Sequence, residues 1–153
     1  MQYRKGAIGA MTDLYEVALH ELKVVLESIS KEQFLKSDAS KEDDFKSIRT
    51  ITLHIVRSGY AYSNYIRTSF GTEKFEVTIK INSIEEALFE IDKMFQYKLE
   101  TFKNKWLTTD DEMMNTIIKT SWTTYDLEAI IEHSIVHILR HRLQIQKIIQ
   151  NIN

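Results

Sequence analysis

The feature that most constrains this chain is how far it runs without a helix breaker. It contains no proline, and its four glycines, Gly6, Gly9, Gly59 and Gly71, leave long stretches free of backbone punctuation. Apolar residues recur within those stretches at helical spacing. From about Thr12 to Ser30 the series is Leu14, Val17, Ala18, Leu22 and Val25, and it breaks in the polar tract KSDASKEDD. A second helix is expected from Ser40, where S-K-E-D sets an acidic residue three positions after a serine cap. It continues through Phe45, Ile48, Ile51, Ile55 and Tyr62 to about Ser69, with Gly71 as its stop. A third starts at Ser83, where S-I-E-E reads as a capping box, and runs through Leu88, Ile91, Phe95, Leu99 and Phe102. The last begins at Thr123 or Thr124 and continues nearly to the C-terminus, a rod of about 40 Å at 1.5 Å per residue. Four long helices predict an all-α fold, a four-helix bundle.

Two connections read differently. FEVTIKI, from Phe75 to Ile81, alternates apolar and polar residues, with Phe75, Val77, Ile79 and Ile81 on one side. MMNTIIKTSW, from Met113 to Trp122, tolerates β structure, so the two segments are expected to pair as a short β-hairpin-like cover. No repeat, low-complexity tract or linker divides the chain. Its length suits one core, so residues 1–153 are expected to form a single domain.

Composition narrows the partners. An apolar fraction of 43% and a charged fraction of 27% are ordinary for a globular protein. A formal net charge of −2 and a pI near 6.2 give no global electrostatic reason to bind nucleic acid or an anionic membrane. The expected partner is a small molecule. There is no cysteine, which removes disulfides, thiolate zinc sites and a cysteine nucleophile, so any transferred thiol has to arrive on a small molecule. The opening residues MQYRKGAIGAMTDLYEV resemble neither a signal peptide nor a membrane span, and a cytoplasmic location is expected.

The chemistry is concentrated in EHSIVHILRHRLQI, Glu132 to Ile145, which holds three of the five histidines at a strict spacing of four. On a helix each such step advances the azimuth by only about 40°, so successive imidazoles can converge on one ion. Leu127, Ile131, Ile138, Ile145 and Ile149 define the core face of this helix. His137 and His141 fall inside or beside that stripe, whereas His133 drifts toward Arg140 at the margin. Imidazoles in a bundle core need partners for their nitrogens, and a divalent metal is one solution. Three protein ligands with an open position are the usual catalytic arrangement, so a third histidine is expected from another helix. The candidate is His54, within TLHIVRSGYAY of the second helix. The bland alternative is that the HxxxH pair is structural or incidental. His133 reads as a pocket residue rather than a ligand, and His20 as an ordinary, partly buried histidine. Inward Glu-x-x-His pairs on two helices, the signature of di-iron carboxylate bundles, are missing, which favours one metal over two.

These residues carry a resemblance. His54 within LHIVRSGYAYSNYI, together with H-I-L-R-H-R-L-Q-I from His137 to Ile145, resembles the DinB/YfiT-like family of metal-dependent four-helix bundle proteins, and the order of helices agrees over essentially the whole chain. The family motif usually has glycine after the arginine, where this chain has Leu143. The resemblance implies that His54, His137 and His141 hold one divalent ion, nickel or zinc and less often iron, at the bottom of an open cleft. It also implies a homodimer and, in some members, transfer or isomerisation chemistry with bacillithiol, mycothiol or glutathione, or hydrolysis. Arg57, Tyr60 and Trp122 are candidate cleft residues that could bind such a cofactor, set against ordinary packing or a solvated charge. On the last helix Val136, Leu139 and Leu143 lie away from the core stripe, as a helix-helix interface requires. An enzyme of this kind and a non-catalytic bundle that uses an ion for stability or ligand binding both remain open.

Overall fold

A computed structural model describes residues 3–152, and its main elements are helical. They are α1 (Gly6–Glu27), α2 (Lys31–Leu35), α3 (Ile48–Phe70), α4 (Ile84–Thr101), α5 (Asp110–Asn115), β1 (Ile117–Lys119), β2 (Thr124–Asp126) and α6 (Leu127–Ile152). The four long helices α1, α3, α4 and α6 form the expected bundle, with α6 and α4 each packed between α1 and α3.

Local chemistry sets most of the ends. α3 begins at Ser47, not Ser40. The Ser47 side chain accepts the Thr50 backbone N–H while the Thr50 hydroxyl accepts that of Ser47. Ser40 instead turns its hydroxyl and N–H onto Asp38. Residues 40–44 have no apolar face to bury, and only a 3-10 turn at Asp43–Phe45 precedes the helix. Gly71 closes α3 in the left-handed conformation, at a φ of 65°. Ser83 caps α4 through the Glu86 N–H, but the Glu86 carboxylate reaches back to Asn82, so the box is displaced by one residue. α1 starts earlier than its periodicity predicts, because Ile8 and Met11 are buried beside Tyr62, Ile66 and Leu127. The Thr12 hydroxyl donates to the Ile8 carbonyl within the helix rather than capping it. The buried face of α1 is Tyr15, Ala18, Leu19, Leu22 and Leu26; Leu14, Val17 and His20, expected to be at least partly buried, are exposed.

The direction of the helices explains the connections. Gly59 lies against Met94 and Arg67 against Thr101, so α3 and α4 run parallel. A side chain at Gly59 would overlap the Met94 sulfur. Parallel neighbours require the chain to return along the bundle between them, and residues 72–83 do this in extended form. The Asn64 side-chain amide donates to the Phe75 carbonyl, the Phe75 N–H to the Tyr97 hydroxyl, and Arg49 to the Ile81 carbonyl. FEVTIKI is therefore extended but not a strand. Ile79 and Ile81 are buried, Phe75 and Val77 are exposed, and its hydrogen bonds go to helices. The hairpin forms elsewhere, with β1 pairing antiparallel to β2, Ile118 opposite Tyr125. MMNTIIKTSW thus supplies one strand, and its partner is the next stretch of chain. Because Thr124–Asp126 is strand, α6 starts at Leu127, where the Asp126 carboxylate accepts the Ala129 N–H. Of the core face expected for α6, Leu127, Ile131, Ile138 and Ile145 are buried and Ile149 is partly buried, and Ile130 joins them. No described helix is long and apolar enough to cross a membrane.

Candidate metal centre

α3 and α6 are antiparallel neighbours, and their facing stripes bring His54, His137 and His141 together. One ligand nitrogen from each lies within 4.8 Å of the others. The ring centroids of His137 and His141 are 4.4 Å apart, and that of His54 is 5.0 and 4.9 Å from them. His137 is 6% exposed and His141 4%, while His54 is more open.

Their nitrogens are unevenly satisfied. His141 Nδ1–H donates to Gln144 Oε1 at 2.9 Å, which fixes the tautomer and leaves the lone pair on Nε2. That Nε2 is buried without a hydrogen-bond partner. His54 Nε2 and His137 Nε2 face each other at 3.1 Å, a gap that accommodates at most one proton. On its outer side, His54 Nδ1 lies 3.4 Å from Asp44 Oδ2. Burial, and then the charges of His141, His54 and Arg140, push the His137 pKa down to about 3. Burial also lowers that of His141, against the opposing pull of Gln144. Neutral imidazoles with inward lone pairs are the form that binds a metal. The group suits a cation, which would satisfy the orphaned Nε2.

Aromatic rings seal the group on two sides. Phe45 stacks on His141 and meets His54 edge-on, at 5.6 and 5.2 Å between centroids. Tyr62 lies edge-on to His137 at 5.6 Å, and burial raises its phenol pKa to about 12, so it stays protonated. His133 sits at the rim, as its azimuth predicts, packed on Tyr62 and Tyr125, its pKa lowered by burial and Arg140. Trp122 is half exposed beside His133, its indole N–H donating to the Tyr125 hydroxyl. It lines that outer rim rather than the three-histidine group. Arg57 is exposed and forms no ion pair among the described residues. Tyr60 turns toward α4 and packs on Tyr97, so it lies outside the group. Asp44, Phe45 and Tyr62 are the neighbours that sequence reasoning missed. Only Tyr62 left a signal, as a member of the apolar series on the same long helix as His54. Glu132 is exposed, whereas Gln144 reaches the His141 ring.

Fold and site together define a helical bundle with a buried three-histidine group able to hold one metal ion. The DinB family profile matches residues 16–152, and the chain belongs to the DinB family. No curated protein sequence matches it significantly.

Proposed function

We propose that this protein is a metal-dependent enzyme that binds one nickel or zinc ion through His54, His137 and His141 and joins a low-molecular-weight thiol to a small-molecule acceptor, with hydrolysis as the related alternative. The observation that carries this reading is the buried, unpartnered His141 Nε2, in the group it forms with His54 and His137. When bound, such an ion supplies a Lewis acid that lowers the pKa of an incoming thiol or water. The chain itself has no cysteine, so the thiol is a substrate. Gln144 holds the His141 tautomer, Asp44 steadies the outer nitrogen of His54, and Phe45 and Tyr62 keep water from the inner rings.

The test is thiol consumption by an electrophilic acceptor, measured with bacillithiol, mycothiol and glutathione on metal-loaded protein. Turnover with one of them, absent in His137→Ala, is expected. A protein that holds its metal yet neither consumes a thiol nor hydrolyses an ester is a non-catalytic binding bundle.

A homodimer through the α1/α6 side belongs to the same reading. Val136, Leu139 and Leu143 of α6, and Leu14, Val17 and Val24 of the adjoining α1, are exposed rather than covered within the subunit. Leu143→Glu is expected to halve the mass seen in sedimentation equilibrium; an unchanged mass rules this face out.

A further inference from the structure

We infer that the substrate is an anion, a carboxylate or phosphate ester seated in a basic cavity that adjoins the histidine group. This rests on the proposed function for its role in catalysis, but the site itself rests on separate observations. A cavity of about 1030 Å³ lies between the 36–47 connection and the C-terminal half of α6, and His141 and Phe45 form part of its wall. Five cationic side chains line it, Lys36, Lys41, Lys46, Arg140 and Lys147, against one carboxylate, Asp38. In a chain of net charge −2, this is a local reversal of sign.

Most of that charge is unanswered by protein. Lys46 pairs with the exposed Asp43, but Lys36, Lys41, Arg140 and Lys147 have no ion-pair partner among the described residues. Arg140 directly precedes His141 on α6 and shares the cavity wall with it. A guanidinium there presents a planar fork suited to a carboxylate or phosphate. Concave walls of low dielectric strengthen its field and raise the local concentration of anions. The volume suits a small molecule, and the apolar Phe45 and Ile148 in the wall leave room for an uncharged portion of the ligand. Both requirements are met if the reacting group of an anionic substrate lies by His141 and its charged group by Arg140 and Lys147.

The test is calorimetric titration of the full chain, with and without added zinc, using succinate, inorganic phosphate and uncharged succinamide at low ionic strength. Saturable binding of at least one dianion, none of succinamide, is expected; which dianion binds separates carboxylate from phosphate. Arg140→Gln combined with Lys147→Gln should weaken it about tenfold or more, and Lys103→Gln, after the far end of α4, should leave it unchanged. Both altered side chains are exposed, so the fold should survive, and Lys147→Gln alone should show a smaller loss. No saturable dianion binding, or binding indifferent to the paired substitutions, overturns the inference. Dianion binding by a protein that takes up no zinc defeats the metal reading and leaves this one standing; zinc uptake without dianion binding does the reverse.

Discussion

Two groups of buried polar side chains lie toward opposite ends of α3, and they are satisfied in opposite ways. Near its C-terminal end, Arg67 donates to Thr101 Oγ1 at 2.8 Å, to the Glu73 carbonyl at 2.9 Å and to the Tyr97 carbonyl at 3.3 Å. The Tyr97 ring lies 3.9 Å from the guanidinium. Every guanidinium nitrogen has a protein acceptor. In the N-terminal half, the three histidines turn nitrogens toward one another, and His141 Nε2 meets nothing. Burial of a polar group is costly in both places, but only the first site contains its own compensation. Arg67 ties the 72–83 crossover to α3 and α4 and is architecture; the histidines leave a buried nitrogen without a protein partner and are the candidate site. Lys98 stands between them. It is 2% exposed, with Ser134 Oγ at 3.2 Å and the Tyr15 ring at 4.1 Å but no carboxylate within ion-pair distance among the described residues.

The sharpest way to break this contrast is to remove one member of each group. Arg67→Ala should cost about 4 kcal/mol in urea unfolding, because it strands several buried acceptors and frees the crossover. His137→Ala in metal-free protein should cost about 2 kcal/mol or less, since only the His54 contact and the packing of the ring against Tyr62 are lost with it. Equal losses would erase the distinction. Lys98 gives the next effect, through pH. Burial lowers its amine from 10.5 to about 7, so between those values the unfolded chain holds a proton that the folded chain lacks. Stability should therefore rise as pH climbs from about 7 toward 10.5, by up to about 1.4 kcal/mol for each pK unit of the shift. Lys98→Met should remove this rise and stabilise the protein by about 2 kcal/mol at pH 7, read from denaturation midpoints across that range. A wild-type slope that persists in Lys98→Met assigns it to other groups. The smallest effect belongs to Gln144. Gln144→Leu should weaken zinc binding about tenfold, worth about 1.4 kcal/mol, without altering the circular dichroism spectrum; unchanged affinity would show that the His141 tautomer needs no holding.

How much of this was legible depended on whether an answer lay within one helix. His137 and His141 were readable because α6 is long and unbroken, so one periodicity fixes every azimuth along it. His54 could be nominated as the only histidine on another long helix besides His20. Asp44 and Phe45 are not readable, because the S-K-E-D signal predicts helix over residues 40–47, whereas a 3-10 turn there swings both toward the histidines. α1 offered two apolar series, and the wrong one was followed for Leu14 and Val17: a stripe facing solvent has the same periodicity as one facing the core. The crossover was missed for a similar reason. Alternation predicts an extended chain, but its hydrogen-bond partners, Asn64, Tyr97 and Arg49, lie on helices distant in sequence.

The central claim is that the three histidines form one metal site and that the fold does not depend on it. The most direct measurement is elemental analysis of protein purified without added metal, run beside His54→Ala with both folds checked by circular dichroism. The account predicts about one equivalent of nickel or zinc in the native protein and almost none in the folded variant. Metal content unchanged by His54→Ala, or a native protein that is fully folded and takes up no metal, would contradict it.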